Sequence, residues 1–267
     1  MHDLAVLFFH HANDATTRNN LETVRHYNPG VPVVPISNWG DTVPDGYHCR
    51  DMIAGWKDLL PSYRGRGLRG AWKRFNLDLE RGWIWRNVDL LAYLWITWNK
   101  RPVQAKRWMV FEWDIYCNTS LPAWFGASYD KDLVGSFVQT PGGNEFVHFN
   151  DGELAICPEP LRKYRMGVNP WAGILMSDKA LKAVAERVRE TKYAHAFSEV
   201  RVATVAHSLG IELTRNSNPL AQETLRAVTS FTLNDVDKPS VWHRVKQHET
   251  LTLVPPNCVT PSETAAG

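Results

Sequence analysis

The first forty residues constrain the fold more tightly than anything after them, because the spacing of their apolar positions changes period twice. Leu4 to Phe9 (Leu-Ala-Val-Leu-Phe-Phe) is short and continuously apolar, which reads as a strand covered on both faces. It breaks into the polar loop His10-His11-Ala12-Asn13-Asp14. From Thr16 the period becomes helical, through Leu21, Val24 and Tyr27 or Asn28, with Asp14 or Thr16 available as an N-cap. Asn28-Pro29-Gly30 stops the helix, Val31 to Ile36 reads as a second strand, and Ser37-Asn38-Trp39-Gly40-Asp41 follows as a turn. Strand, helix and strand in this order make a crossover unit, so the two strands should be parallel. In such sheets ligands bind beyond the carboxyl ends of the strands. That places His10 to Asp14 and Asn38 to Asp41 on the ligand side. No G-x-G-x-x-G follows the first strand and no G-x-x-x-x-G-K-[ST] occurs, which argues against dinucleotide and P-loop folds.

A second strong signal is Arg107-Trp-Met-Val-Phe-Glu-Trp-Asp-Ile-Tyr116. Trp108 to Phe111 reads as a central strand, and Glu112 and Asp114 follow it two residues apart. On an extended chain such residues point to one side, so the two carboxylates should converge. Converging acids repel unless a cation lies between them, and Mg²⁺ or Mn²⁺ suits carboxylates and substrate phosphates. The plainer alternative is a strand end whose acids face water. The preceding segment, Asn87 to Asn99, has helical spacing at Leu91, Leu94, Trp95 and Trp98, with Asp89 complementing the dipole of its first turn.

Elsewhere the signals are more local. Tyr63 to Arg74 combines five basic residues, three glycines and two aromatics. This stretch, with Arg64 and Arg66 near its start, is either a mobile loop that grips phosphate or a solvated surface loop. Ser120 to Phe125 reads as a short helix with Pro122 in its first turn. Trp171 to Met176 is an apolar run entering a helix capped by Ser177, with Asp178 in its first turn and Leu181, Val184 and Val188 inside. A later helix starts near Phe197-Ser198-Glu199, turns Val202, Val205 or Ala206, and Leu209 inward, and closes at Gly210. Glu199 in its first turn serves as a dipole complement unless something else engages it. Ile211 to Leu213 reads as a brief strand, and Val241 to Lys246 carries His243.

Composition removes several classes. A length of 267 residues, 44% hydrophobic and 22% charged, suits a soluble globular protein of one large domain or one and a half; one domain is expected over residues 1–250, with a flexible tail at 251–267. A net charge of +2 requires no polyanionic partner. Cys49, Cys117, Cys157 and Cys258 form no C-x-x-C pair, so neither a zinc knuckle nor a disulfide framework is indicated. No signal peptide or run of ~20 apolar residues is apparent, and a cytoplasmic location is expected. Twelve tryptophans suggest broad contact surfaces as well as core.

In order, then, the chain has a crossover unit without a glycine fingerprint, an acid-x-Asp at a central strand end, an acid opening a later helix, and a histidine towards the C-terminus. This order resembles the GT-A class of nucleotide-sugar glycosyltransferases. Glu112-Trp113-Asp114 looks like that family's DxD motif with Glu in the first place. Phe197-Ser198-Glu199 is similar to its xED motif, Trp171-Ala172-Gly173 to the small-residue segment beneath the acceptor, and His243, with His248 as competitor, to the C-terminal metal ligand. The resemblance implies a GT-A-like, Rossmann-related fold with a mostly parallel central sheet flanked by helices. It implies Mn²⁺ or Mg²⁺ held by Asp114, Glu112 and His243, and a nucleotide-sugar donor contacted by His10, Asn13, Asn38, Arg64 and Arg66. It also implies Glu199 as catalytic base. The acceptor would be a glycan, a lipid-linked saccharide or DNA carrying a modified base. A metal nuclease fits less well, because no Lys or His follows the acids in Asp114-Ile-Tyr-Cys117. The alternative from another class is a non-catalytic binder of glycan or nucleic acid, suggested by the tryptophans and the Arg-Gly stretch.

Overall fold

The structure, a computed structural model, describes residues 1–37, 41–49, 51–52, 88–139, 157–169, 173–191, 193, 197–225 and 236–243. Its opening unit is strand β1 (His2–His10), helix α1 (Ala15–Tyr27) and strand β2 (Val33–Ser37). The two strands pair in parallel, with Val6 opposite Val33 and His10 opposite Ser37. The cap is Asp14, whose carboxylate accepts from the Thr17 N–H at 2.7 Å. β1 is buried from Leu4 to His10, with no alternation between inside and outside. That pattern requires cover on both faces, as a parallel sheet with flanking helices provides.

Helix α2 (Val88–Thr97) delivers the chain to β4 (Ala105–Glu112), after the two-residue β3 (Tyr47–His48). A reversal leads from β4 into β5 (Ile115–Cys117) and the short helix α3 (Leu121–Phe125), with Pro122 in its first turn. Three-residue strands follow: β6 (Leu133–Gly135), β7 (Phe137–Gln139), β8 (Gly167–Asn169) and β9 (Leu175–Ser177). Helices α4 (Asp178–Thr191) and α5 (Ser198–Ser208) come next, then β10 (Leu213–Arg215), α6 (Ala221–Thr224) and β11 (Val241–His243).

Among the described residues, seven strands form the central sheet in the order β10-β6-β9-β4-β1-β2-β3. β4, β1, β2 and β3 are mutually parallel, as are β6 and β10; β9 runs antiparallel to both of its neighbours. The sheet is therefore mostly parallel, as expected, and helices cover both faces. Ala5, Leu7 and Phe9 of β1 with Trp108 and Val110 of β4 meet α2, α4 and α5. Leu4, Val6 and Phe8 with Met109 and Phe111 meet α1 and α3.

Several details differ from the sequence reading. Asp89 is more than a dipole complement: it is fully buried and takes a bidentate grip from the equally buried Arg201 of α5, one bond being 2.6 Å from Nε to Oδ2 and the other running from Nη2 to Oδ1. Leu209 lies at the C-terminal cap of α5, 40% exposed, and does not face inward. The brief strand after Gly210 begins at Leu213. The run ending at Met176 is strand β9, directly joined to α4, where Ser177 Oγ accepts from the Ala180 N–H at 3.1 Å as the cap. Asn38, the Arg64–Arg74 stretch, Trp171, Ala172, His248 and the 251–267 segment lie outside the described residues. Among the described residues, no helix is long and apolar enough to cross a membrane.

Candidate metal centre

Parallel pairing aligns the carboxyl ends of four strands along one edge of the sheet. Phe9 lies opposite Glu112, His10 opposite Ser37, and Ser37 opposite His48. Glu112, the last residue of β4, is thus at this edge, next to the end of β1. Trp113 and Asp114 form a turn, and β5 leaves from it. The two acids come together, but through a reversal of the chain and not through the pleat of one continuous strand.

The third member arrives from far along the sequence. β11 pairs antiparallel with β5, placing His243 opposite Ile115, Trp242 opposite Tyr116 and Val241 opposite Cys117. Ile115, Cys117 and Val241 are buried together in the apolar layer under α1 and α3. Side-chain hydrogen bonds button the segment down. Asn118 Oδ1 accepts from the Ser240 N–H at 2.7 Å, its Nδ2 donates to the Lys238 carbonyl at 3.2 Å, and the Ser240 and Thr224 hydroxyls meet at 3.0 Å. His243 is consequently fixed beside Asp114, with Nε2 3.9 Å from Oδ1.

Glu112, Asp114 and His243 each present a ligand-capable atom, and these atoms all lie within 4.8 Å of one another. Asp114 and His243 are buried, and Glu112 is partly exposed. A six-coordinate ion with bonds of about 2.1 Å sets adjacent ligand atoms about 3 Å apart and opposite ones about 4.2 Å apart. The group can therefore close on such an ion with small side-chain rotations. Two oxygens and one imidazole nitrogen suit Mn²⁺ better than Mg²⁺, which prefers an all-oxygen shell.

The turn itself is held by α1. The Asn20 amide donates to the Trp113 carbonyl at 2.8 Å, and the Trp113 ring meets the edge of His11 with centroids 4.8 Å apart. Neither Asn20 nor the Asn118 button was picked out from the sequence. A signal existed for the first: Asn19-Asn20 sits mid-helix, where asparagine is a poor helix former and is usually turned to solvent, yet both are buried.

The remaining sequence candidates are spread around the edge. His10 is fully buried; its Nδ1–H donates to the Ala12 carbonyl at 3.1 Å, and Nε2 has no hydrogen-bond partner among the described residues. Burial holds its pKa below the ordinary imidazole value, opposed in part by the Ala12 bond. Asn13 bridges two loops, donating to the Thr42 carbonyl at 3.3 Å and accepting from Arg18 at 3.1 Å. Glu199 is buried in the first turn of α5 and is not one of the three residues brought together. Gly173 hydrogen-bonds through its N–H to the Val110 carbonyl at 2.8 Å, two residues before Glu112. Its φ of +98° and a would-be Cβ contact of 2.8 Å with Leu225 restrict this position to glycine.

No protein-family model matches the chain, and no curated protein does. Among solved structures, an active-site mutant of LgtC aligns with a TM-score of 0.39 and 11% identity, over 91% of this chain and 88% of that one. The galactosyltransferase LgtC in complex with donor and acceptor sugar analogs aligns with a TM-score of 0.39 and 12% identity, over 89% of this chain and 86% of the other. Likeness at this level says nothing about what the present chain binds.

Proposed function

We propose that the protein is a metal-dependent glycosyltransferase that moves a sugar from a nucleotide-sugar donor to an acceptor hydroxyl. The observation that carries the reading is the gathering of Glu112, Asp114 and His243 at the carboxyl edge of the parallel strands, where α/β sheets bind their ligands. Asp114 and His243 hold the cation, Mn²⁺ or Mg²⁺, and the partly exposed Glu112 reaches an outer water or the donor ribose. The bound ion supplies positive charge to the diphosphate leaving group. His10, with an accepting Nε2, and Asn13 and Asn38 lie around the base and ribose. Arg64 and Arg66 close over the phosphates and exclude water. Glu199 takes the proton from the attacking acceptor hydroxyl. The acceptor is a glycan or lipid-linked saccharide, or else DNA carrying a modified base; steep salt dependence of acceptor binding selects the last.

The test begins with melting the protein against nucleoside diphosphates, with and without Mn²⁺. Ligand at 100 times its dissociation constant stabilises by about 2.7 kcal/mol, or roughly 5–10 °C for a chain of this size. A non-catalytic glycan or nucleic-acid binder gives no such shift. Asp114→Asn should remove the Mn²⁺-dependent part and abolish transfer, whereas Glu199→Gln should abolish transfer and leave the shift. Full turnover by Asp114→Asn overturns the assignment.

A further inference from the structure

Asn20 occupies a position where an apolar residue would ordinarily be more stable. It is fully buried in the middle of α1, flanked by Leu21 and Val24 of the apolar layer. Its amide nitrogen donates to the Trp113 carbonyl at 2.8 Å, and its Oδ1 has no hydrogen-bond partner among the described residues. The orientation is fixed by chemistry, since only the nitrogen can face a carbonyl. Leaving an amide oxygen dry costs stability, and buried polar atoms without partners call for an explanation. Among the described residues, the single side-chain bond of Asn20 is to the peptide group joining Trp113 to Asp114. That peptide is where the chain reverses between β4 and β5, and it sets the direction in which the Asp114 carboxylate leaves the backbone.

We propose that Asn20 is a positioning residue for the cation group: its amide anchors the Trp113–Asp114 turn to α1, so that the Asp114 carboxylate stays beside Glu112 and His243. The inference deepens the metal-centre reading and rests on it for its consequence, though the anchoring can be measured without any ion. α1 is a suitable anchor because Asp14 caps its first turn and its inner face packs on the sheet. The Asn28 side chain ties the far end of α1 to the segment beyond β5, donating to the Thr119 carbonyl at 3.2 Å and accepting from the Leu121 N–H at 2.8 Å. The helix thus grips the β5 excursion before and after the strand. Outer residues that orient ligands in this way commonly change metal affinity 10–100-fold when removed.

The experiment compares wild type with Asn20→Leu, which fills the site without a donor, and with Asn20→Asp, which keeps the shape but replaces the donor by an acceptor. Metal-free hydrogen exchange over residues 112–117 should quicken about tenfold in both variants, with exchange in β1 and β2 unchanged. The metal-free melting temperature of Asn20→Leu should stay level or rise. Mn²⁺ affinity, read by electron paramagnetic resonance, should fall at least tenfold in Asn20→Leu. Unchanged exchange at 112–117 overturns the anchoring role whether or not Mn²⁺ binds. So does a loss of Mn²⁺ affinity that merely follows a lowered melting temperature. If wild type binds no Mn²⁺, the metal-centre reading fails, and the exchange data alone decide the anchoring role.

Discussion

The Asp89–Arg201 pair offers the sharpest perturbation in the fold. Both side chains are fully buried and the guanidinium grips the carboxylate with two bonds, joining the middle helix of the chain to the helix that carries Glu199. Burial draws the Arg201 pKa down, but the Asp89 charge and bonds outweigh it and hold the value above the ordinary one. Asp89→Asn therefore leaves a buried guanidinium that cannot shed its proton and has lost the Asp89 charge. Breaking one side of such a pair costs about 3–5 kcal/mol, a large part of a typical total of about 5–15 kcal/mol. At about 2–4 °C per kcal/mol for a chain of this size, the melting temperature should fall by roughly 6–20 °C. Guanidinium unfolding followed by tryptophan fluorescence gives the free energy directly. The double replacement Asp89→Leu with Arg201→Met should recover most of the loss, because a well-packed apolar pair is often as stable as a buried ionic one. A cost below about 1 kcal/mol for Asp89→Asn would show that water reaches the pair and would refute the argument.

Other expectations are more local. Gly173→Ala combines a φ of +98° with a 2.8 Å approach to Leu225, so it should cost about 1–3 kcal/mol in urea unfolding; in a double-mutant cycle with Leu225→Ala, which alone empties a buried site at about 2–5 kcal/mol, the coupling energy should equal the overlap and leave the backbone strain. His10 is held below its ordinary pKa, chiefly by burial, so the folded chain binds fewer protons than the unfolded one. Its contribution is complete above the ordinary imidazole value of about 6.5 and declines as pH falls towards the lower folded value; His10→Leu should flatten the stability profile between about pH 7 and 5, and an unaltered slope counts against the buried neutral ring. Asn118→Ala removes both side-chain bonds to the 236–243 segment; amide exchange there should quicken, with a local loss of about 1–3 kcal/mol, and unchanged exchange would show that strand pairing alone holds β11.

The parts of this fold legible in the sequence are those whose cause is local. Leu4–Phe9, the helix from Ala15 and the strand to Ser37 carry their own period and punctuation, so their parallel pairing follows from connection length alone. The acid pair was legible as a pair, because Trp108–Phe111 announces a strand and Glu112 and Asp114 follow it directly. How the acids meet was not: the reversal at Trp113 depends on α1 and on β11, and neither contact leaves a mark near residue 113. Likewise Asp89 has the look of any first-turn acid until Arg201, 112 residues away, is brought against it. The antiparallel β9 was missed for a related reason. Its three residues run straight into a helix whose cap, Ser177, is the strand's own last residue, and only their place between β4 and β6 makes them a strand.

One consequence concerns the order in which the chain is made. β4 and its two acids emerge from the ribosome long before β11, and the three-residue strand that carries His243 has nowhere to dock until β5 and α3 are already in place. A nascent chain thus carries the two carboxylates without His243 for nearly half of its synthesis. On the proposed metal-centre reading, the three-residue group is complete only once the C-terminal strand docks, so a cut between β10 and β11 should abolish Mn²⁺ binding while sparing the central sheet.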